Sequence, residues 1–338
     1  MKNNLKYSIS ESRELRMENY SNQPLLELKE KLKVIRTLIP ENSIVHYLEY
    51  PVYENIGDLL IMKGTEQFFI DNNIKIRSRY SFWNCPSELE LKKNDVIVFQ
   101  GGGNFGDIYK EPQALRENII KKYNKNRIII LPQTIYFQNK DEEKKTFKIL
   151  SNHPDLYLFV RDLNSFNIAK KYIDNVFLSP DMAHQLWPIH TINKPTKKCL
   201  YHLRTDGEIN KNINIVIKDN EDVIDWPQLL SNYEKLLIKC FIKAHKFTLK
   251  IDNYKLVQKL WYKYTDYLVK KAIKLYSNYN IIITSRLHGH ILSCLLNKEN
   301  IIIDNSYGKN SSYYKLWTYK FSGAKLQEET WEKIQCQR

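Results

Sequence analysis

Val96-Ile97-Val98-Phe99-Gln100-Gly101-Gly102-Gly103-Asn104-Phe105-Gly106-Asp107 is the stretch that decides how the chain is read. Its first four residues are apolar and three are β-branched, the signature of a short strand buried on both faces. The strand runs at once into glycine: four of the ten glycines of this 338-residue chain fall within six positions. Glycine lets the backbone turn sharply and lets a ligand come close to the N–H groups. A glycine-rich turn that leads from a strand into a helix is a site for an anion. The spacing is not that of G-x-G-x-x-G, and the Lys-Ser/Thr of a P-loop is absent. Gly101, Gly102, Gly103 and Asn104 are therefore candidate ligand contacts of their own kind, beside the simpler reading of a tight turn.

Outward from this stretch, short apolar runs alternate with helical patterns. On the amino-terminal side, Leu25–Leu38 repeats apolar residues at helical spacing until Pro40, Ser43–Tyr50 reads as a strand, and Leu59–Asn72 as a helix. On the other side come the strands Arg127–Leu131, Tyr157–Val160 and Val176–Leu178, separated by helical stretches near Glu111–Tyr123, Glu142–Leu150 and Asn164–Tyr172. Such alternation predicts a parallel sheet covered on both faces. A polar stretch with Pro188 and Pro195 then marks a boundary. Beyond it lie a strand at Cys199–Leu203, two long basic helical segments near 230–248 and 254–277, and strands at Asn280–Thr284 and Asn300–Asp304 flanking a helix from Gly289 to Leu296. The division expected is an extension and helix over 1–40, an α/β domain over 41–192, and a second over 193–338 that carries the basic region 230–278.

In sheets of this kind the working residues stand at the carboxyl ends of strands. Asn55-Ile56-Gly57-Asp58 follows the first strand, where Asp58 also suits a helix cap. Arg161-Asp162 follows Tyr157–Val160, and an arginine there can fork onto a carboxylate or phosphate or form a structural ion pair. Ser285-Arg286-Leu287-His288-Gly289 follows Asn280–Thr284. On an extended turn, residues two apart point the same way, so Arg286 and His288 are expected to converge on one anion, with His288 able to carry a proton near neutral pH. Asp181, after Ser179-Pro180, and Lys309, after the last strand, complete the set.

Bulk properties narrow the class. Lys and Arg number 52 against 38 Asp and Glu, a net charge of +14, which calls for an anionic partner. No apolar run reaches the ~18 residues of a membrane span, and the polar amino terminus lacks a secretory signal, so the cytoplasm is expected. Five scattered cysteines fit reduced thiols better than disulfides or a zinc site. No metal-ligand spacing is seen. The 42 aromatic residues and the positive charge permit a nucleic-acid-binding module, but no RRM, KH or zinc-finger pattern is present. A nucleotide-sugar glycosyltransferase shares the fold class, but a strict Asp-x-Asp is missing.

Taken in order, NIGDLLIMKGTEQFF, VIVFQGGGNFGDIY, IIILPQTIYF, LFVRDLNSF, FLSPDMAH and TSRLHGHIL resemble the polysaccharide pyruvyltransferase family over about residues 50–310. The resemblance implies two Rossmann-like halves facing a cleft, as in GT-B glycosyltransferases. It implies phosphoenolpyruvate as donor, a sugar acceptor and a pyruvate ketal as product. It also implies that an arginine of the first half and the Arg and His of the R-L-H motif hold the donor, here Arg161, Arg286 and His288. The residue-level reading agrees, since a small frame with a carboxylate and a phosphate suits two arginines and a histidine. With Asp58 joining Arg286 and His288 as the catalytic set, Arg161, Asn55, Gly57, Gly101, Gly102, Gly103, Asn104, Asp181 and Lys309 are expected to bind substrate. Neither a metal nor another cofactor is required by that chemistry, and nucleic acid is not an expected partner.

The basic region departs from the family. In Tyr233–Phe247, Leu236, Leu237, Cys240, Phe241, Ala244 and Phe247 recur at helical spacing, with Lys235, Lys239, Lys243 and Lys246 on the other side and its margins. Such helices either pack on the second domain or lie on an anionic membrane. The second reading would hold a cytoplasmic enzyme at the inner face of the cell membrane, beside a lipid-linked sugar.

Overall fold

The short apolar runs form the centres of two parallel sheets. The computed structural model describes residues 23–191, 194–210, 215, 217, 221–248 and 254–327; the extension expected up to residue 22 and residues 192–193 at the expected boundary lie outside these. The first sheet holds β1 (Ile44–Leu48), β2 (Lys75–Tyr80), β3 (Val96–Phe99), β4 (Gly102–Gly106), β5 (Arg127–Tyr136), β6 (Leu156–Val160) and β7 (Val176–Leu178). Its order is β2-β1-β3-β5-β6-β7, with β4 paired to the carboxyl half of β5. The second sheet holds β8 (Lys197–His202), β9 (Asp222–Ile224), β10 (Tyr279–Thr284), β11 (Glu299–Ile302) and β12 (Ala324–Leu326), ordered β12-β11-β10-β8-β9. Every strand pairing is parallel.

The helices are α1 (23–31), α2 (Lys33–Thr37), α3 (Ile56–Asp71), α4 (Lys110–Lys122), α5 (Lys140–Ser151) and α6 (Leu163–Ala169) in the first half. The second half carries α7 (Trp226–Leu229), α8 (Asn232–Phe247), α9 (Tyr254–Ser277), α10 (Leu287–Leu295) and α11 (Lys309–Tyr313). One apolar core runs unbroken from Leu25 in α1 through α3 to Trp261 in α9 and Leu292 in α10, so the two halves share it. α3 is buried along almost its whole length. Even Lys63 on α3 is only 6% exposed. Its ammonium donates to the Tyr262 carbonyl at 2.9 Å and pairs with Asp266 of α9 at 2.7 Å; burial lowers its pKa to about 8 against the pull of Asp266.

Each sheet reverses its order at one point. In the first, β2 lies to one side of β1 and β3 to the other; in the second, β9 and β10 flank β8. A ligand crevice opens where strands diverge in this way. The turns after β1 and β3 carry Asn55 and Gly101, and those after β8 and β10 carry Arg204 and Arg286. The two sheets therefore bring their crevices to one place.

Several expectations are corrected. β2, β9 and β12 were not expected as strands. β5 continues through Pro132 to Tyr136, and α10 starts at Leu287, not Gly289. Asn55, and not Asp58, caps α3: its Oδ1 accepts the Gly57 N–H at 2.9 Å, leaving Asp58 in the first turn. The glycine cluster is no turn into a helix, since Gly102–Gly106 forms β4 and α4 begins only at Lys110. Among the described residues no helix is long and apolar enough to cross a membrane.

Two buried histidines set a pH dependence. His184 bonds the Tyr313 hydroxyl at 2.9 Å, and His290 bonds Asn300 at 2.6 Å and Thr318 at 2.7 Å. Burial lowers both from 6.5 to about 4. Between those values the unfolded chain binds protons that the folded chain refuses, so stability falls as pH falls. The loss should reach about 3 kcal/mol per histidine, and denaturant titrations at pH 7 and pH 4.5 should show it. Equal stability at the two pH values would refute the assignment.

Candidate active site

A cleft of about 410 Å³ lies where the two crevices meet. Its first wall comes from strand ends of the first sheet. Arg161, directly after β6, is 2% exposed. Its Nε donates to Thr134 Oγ1 at 2.9 Å and its Nη1 to Asp181. Nη2 has no partner among the described residues and faces Gly103, 3.3 Å from where a Cβ would stand. Asp181, after β7, is wholly buried. Burial alone would raise its pKa, but His288 and Arg161 hold it well below the carboxylate range. It is a fixed anion.

Asp58 faces the same space from the first turn of α3. Here burial wins: its carboxyl lies above the usual range, although His288, Arg161 and a hydrogen bond with Tyr53 oppose the shift. One buried carboxylate that stays charged and a second that protonates more easily is an arrangement suited to proton transfer.

The second sheet supplies the other wall. His288, in the first turn of α10, reaches across the cleft with Nε2 3.4 Å from Asp181 Oδ2. Its ring lies on Gly57: a Cβ there would stand 2.6 Å from Nδ1. Arg286 caps the same helix but turns away. It grips Asp225 with two donors at 2.7 and 2.6 Å and reaches Asp206 at 2.7 Å. Arg204 also holds Asp206, at 2.8 and 3.2 Å, and Glu208 at 2.8 Å. Lys309, after β11, donates to Glu208 at 2.9 Å. Burial would raise the Glu208 pKa, yet Lys309 and Arg204 bring it down to about 2. Cations and carboxylates thus alternate along this wall.

The structure brings Asn55, Asp58, Gly103, Asn104, Arg161, Arg286, His288 and Lys309 to the lining of one cleft. Arg286 and His288 do not converge on one point as the extended-turn argument expected. The helix has already begun at Leu287, so the two side chains leave in different directions. Three glycines serve neighbours instead of lining the space. Gly57 seats His288, a Cβ on Gly101 would meet the Pro132 carbonyl at 2.8 Å, and Gly102 has φ +139°, a conformation that favours glycine. Asp181 is not in the lining itself; it contacts Arg161 and His288, which are. Asn104 is held by Arg116 at 3.0 Å, and Arg116 in turn is paired in the core with Glu49 at 2.6 Å. Tyr53, Tyr109, Arg204, Asp206, Glu208 and Asp225 were not singled out from sequence. Arg204 and Asp225 follow strand ends, and the rule applied to β8 would have found Arg204. Among the described residues no three His, Cys, Asp or Glu side chains gather as metal ligands.

Two parallel α/β sheets with a charged cleft between their switch points define the class. The chain belongs to the polysaccharide pyruvyl transferase family, whose pattern it matches over residues 55–307, and is a transferase. It is 42% identical over 301 residues, 88% of this chain and 92% of the relative, to EpsO of Bacillus subtilis (strain 168), which bears the provisional name of a pyruvyl transferase. It is 24% identical over 295 residues to pyruvyl transferase 1 of Schizosaccharomyces pombe, covering 81% of this chain and 70% of that one. A crystal structure of a functionally uncharacterized protein from Klebsiella pneumoniae shares the fold, with a TM-score of 0.57 at 21% identity over 89% of this chain and 98% of that one.

The seat of His288 is open to test. Gly57→Ala should push the imidazole out of line and lower turnover about a hundredfold, while the melting temperature moves by only a few degrees. Full turnover in this variant would show that the position of His288 is immaterial.

Proposed function

We propose that the chain transfers a pyruvyl group from phosphoenolpyruvate to a sugar of a bacterial cell-surface polysaccharide, such as a capsule or exopolysaccharide, or to its lipid-linked repeat unit, forming a ketal. The observation that carries this reading is the Nη2 of the buried Arg161, without a partner among the described residues and opening into a cleft that also holds His288, Asp58, Arg286 and Lys309. A guanidinium edge suits a carboxylate or phosphate. The donor carries one of each, a few bonds apart, and the cleft offers cations on both walls.

The chemistry asks for one proton in and two protons out. Protonation of the donor's methylene carbon makes the neighbouring carbon electrophilic. A sugar hydroxyl attacks that carbon and loses its proton, and the bond to phosphate breaks with the phosphate keeping the electron pair. A second hydroxyl then closes the ring and loses its proton, so the products are the ketal and inorganic phosphate. Asp58 and His288 both line this space, the His288 ring lying on Gly57 next to Asp58, and form the acid–base pair. Asp58 is suited to carry a proton because burial resists its charge. His288 is oriented by Asp181, 3.4 Å from its Nε2. Arg161 binds one anionic end of the donor, and Arg286 with Lys309 receives the other. The step draws on no metal or further cofactor in this reading. The enzyme would work in the cytoplasm, at the inner face of the membrane where a lipid-linked acceptor is presented.

Inorganic phosphate should be released from phosphoenolpyruvate only when acceptor is present. Arg286→Lys and His288→Asn should lower kcat/KM at least about a hundredfold, the cost of removing one positioned charge-stabilising group, with folding retained. In thermal shift, phosphoenolpyruvate should stabilise the protein and a panel of nucleotide sugars should not. Wild-type turnover in both variants, or the opposite ligand preference, would overturn the proposal.

A further inference from the structure

α8 and α9 leave a surface that the cleft does not explain. At 100° per residue, Tyr233, Leu236, Cys240 and Phe247 of α8 fall within about 60° of one another. Tyr233 is 71% exposed, Leu236 58% and Phe247 57%, and Cys240 is exposed too. The side of α8 that is buried, with Glu234, Ile238 and His245, lies directly opposite. The expected apolar face is therefore split: Phe241 packs on Trp261 and Tyr264 of α9, while Leu236, Cys240 and Phe247 face solvent. α9 repeats the arrangement. Leu256 and Leu260, 55% and 50% exposed, stand one turn apart, opposite the buried Trp261, Thr265 and Ala272. Large side chains in such stripes cost solvation unless something covers them.

The lysines say what covers them. Lys239, Lys243 and Lys246 run along one edge of the α8 stripe, and Lys259, Lys263 and Lys270 along the same edge of the α9 stripe. All six are exposed. None of them makes an ion pair among the described residues, while the Lys246 ammonium lies over the Trp83 ring, 4.0 Å from its centre. Each helix holds one acidic residue, and each is already paired: the buried Glu234 to Lys271 at 2.7 Å, and Asp266, half-exposed on the lysine edge of α9, to the buried Lys63 at 2.7 Å. An ordinary solvated helix in the same protein differs. On α5, Lys140, Lys144 and Lys145 are each paired with a carboxylate three residues away. A surface of exposed large apolar side chains edged by uncompensated ammonium groups complements an interface with an apolar interior and anionic head groups.

We propose that the exposed stripes of α8 and α9 form a docking face for the surface of an anionic lipid bilayer. The leucines, Tyr233 and Phe247 enter the head-group boundary, and the lysines stay among the phosphates. The face follows from exposure and charge on these two helices and stands apart from the pyruvyl-transfer reading, which supplies only its use. The test needs no substrate, so the two can fail separately.

The full chain is sedimented with vesicles of phosphatidylglycerol and phosphatidylcholine, and with phosphatidylcholine alone, at low and high salt. Binding to the anionic vesicles alone, weakened by salt, is expected. The double variant Lys239→Gln/Lys263→Gln should weaken it by about fivefold for each lysine removed. Leu236→Asp/Leu260→Asp should abolish it, with circular dichroism melting unchanged because both leucines are exposed. Phosphate release with a soluble acceptor should be unaffected by either pair. Negligible binding, equal binding to both vesicle types, or binding that survives both double variants would overturn the proposal. So would a self-association in solution that Leu236→Asp disrupts while vesicle binding is absent, since the face would then belong to a second copy.

Discussion

The geometry of the cleft depends on one buried carboxylate. Asp181 belongs to the first half, yet it is shared by Arg161 of that half and His288 of the other. Its backbone N–H donates to the Tyr313 hydroxyl at 3.0 Å, and the indole of Trp317 donates to the Arg161 carbonyl at 2.8 Å. Both aromatic residues come from the second half. The charge that aligns the histidine therefore sits within the bonds that join the halves. A buried charge is costly unless its partners stay in place, and removing one partner of a buried pair costs about 3–5 kcal/mol. A shift of one half on the other would strand Asp181, so the relative position of Arg161 and His288 is fixed by electrostatics as much as by the shared apolar core.

The central strands were legible in sequence because burial on both faces leaves a continuous apolar run, as in Val96–Phe99 and Tyr279–Thr284. Edge strands lack that constraint. β2 reads Lys-Ile-Arg-Ser-Arg-Tyr and alternates exposed with covered residues, while β9 and β12 have three residues each. Missing β9 hid Asp225, the residue that turns Arg286 aside. The glycine cluster misled for a different reason. Composition marks where backbone must pass closely, but not what it passes. Gly106 lies against the Tyr136 carbonyl and Gly101 against that of Pro132, so most of the cluster serves the β4–β5 pairing. Gly103, whose missing Cβ leaves room beside Arg161 Nη2, is the member whose neighbour is a cleft cation.

The candidate residues come to one cleft because strand ends converge. Asn55, Arg161, Arg286 and Lys309 each follow a strand of a parallel sheet, and parallel strands put all such ends on one edge. What sequence order could not supply was pairing. Arg204 and Arg286, 82 positions apart, share Asp206, because β8 and β10 are adjacent while the long α8–α9 segment lies between them in the chain. Aligned one against the other, the carboxylates of this wall neutralise its cations, so the cleft is not the strongly positive pocket that a net charge of +14 suggests.

That distribution separates two tasks. Fixed pairs such as Arg286–Asp225 cost no reorganisation when a ligand arrives, and a guanidinium with five donors still has N–H groups to offer after three are used. If the ligand is the anionic donor proposed above, selectivity comes from geometry: the anion must match the donors left over, because Asp206, Glu208 and Asp225 offset the diffuse positive field of the neighbouring cations. On α8 and α9, Lys239, Lys243, Lys246, Lys259, Lys263 and Lys270 are exposed and without an ion pair among the described residues, and the range of such charge is limited to about 8 Å by physiological salt. Charge there can orient the molecule at a surface without loosening the discrimination inside the cleft, and the cleft can discriminate without depending on where the molecule is held.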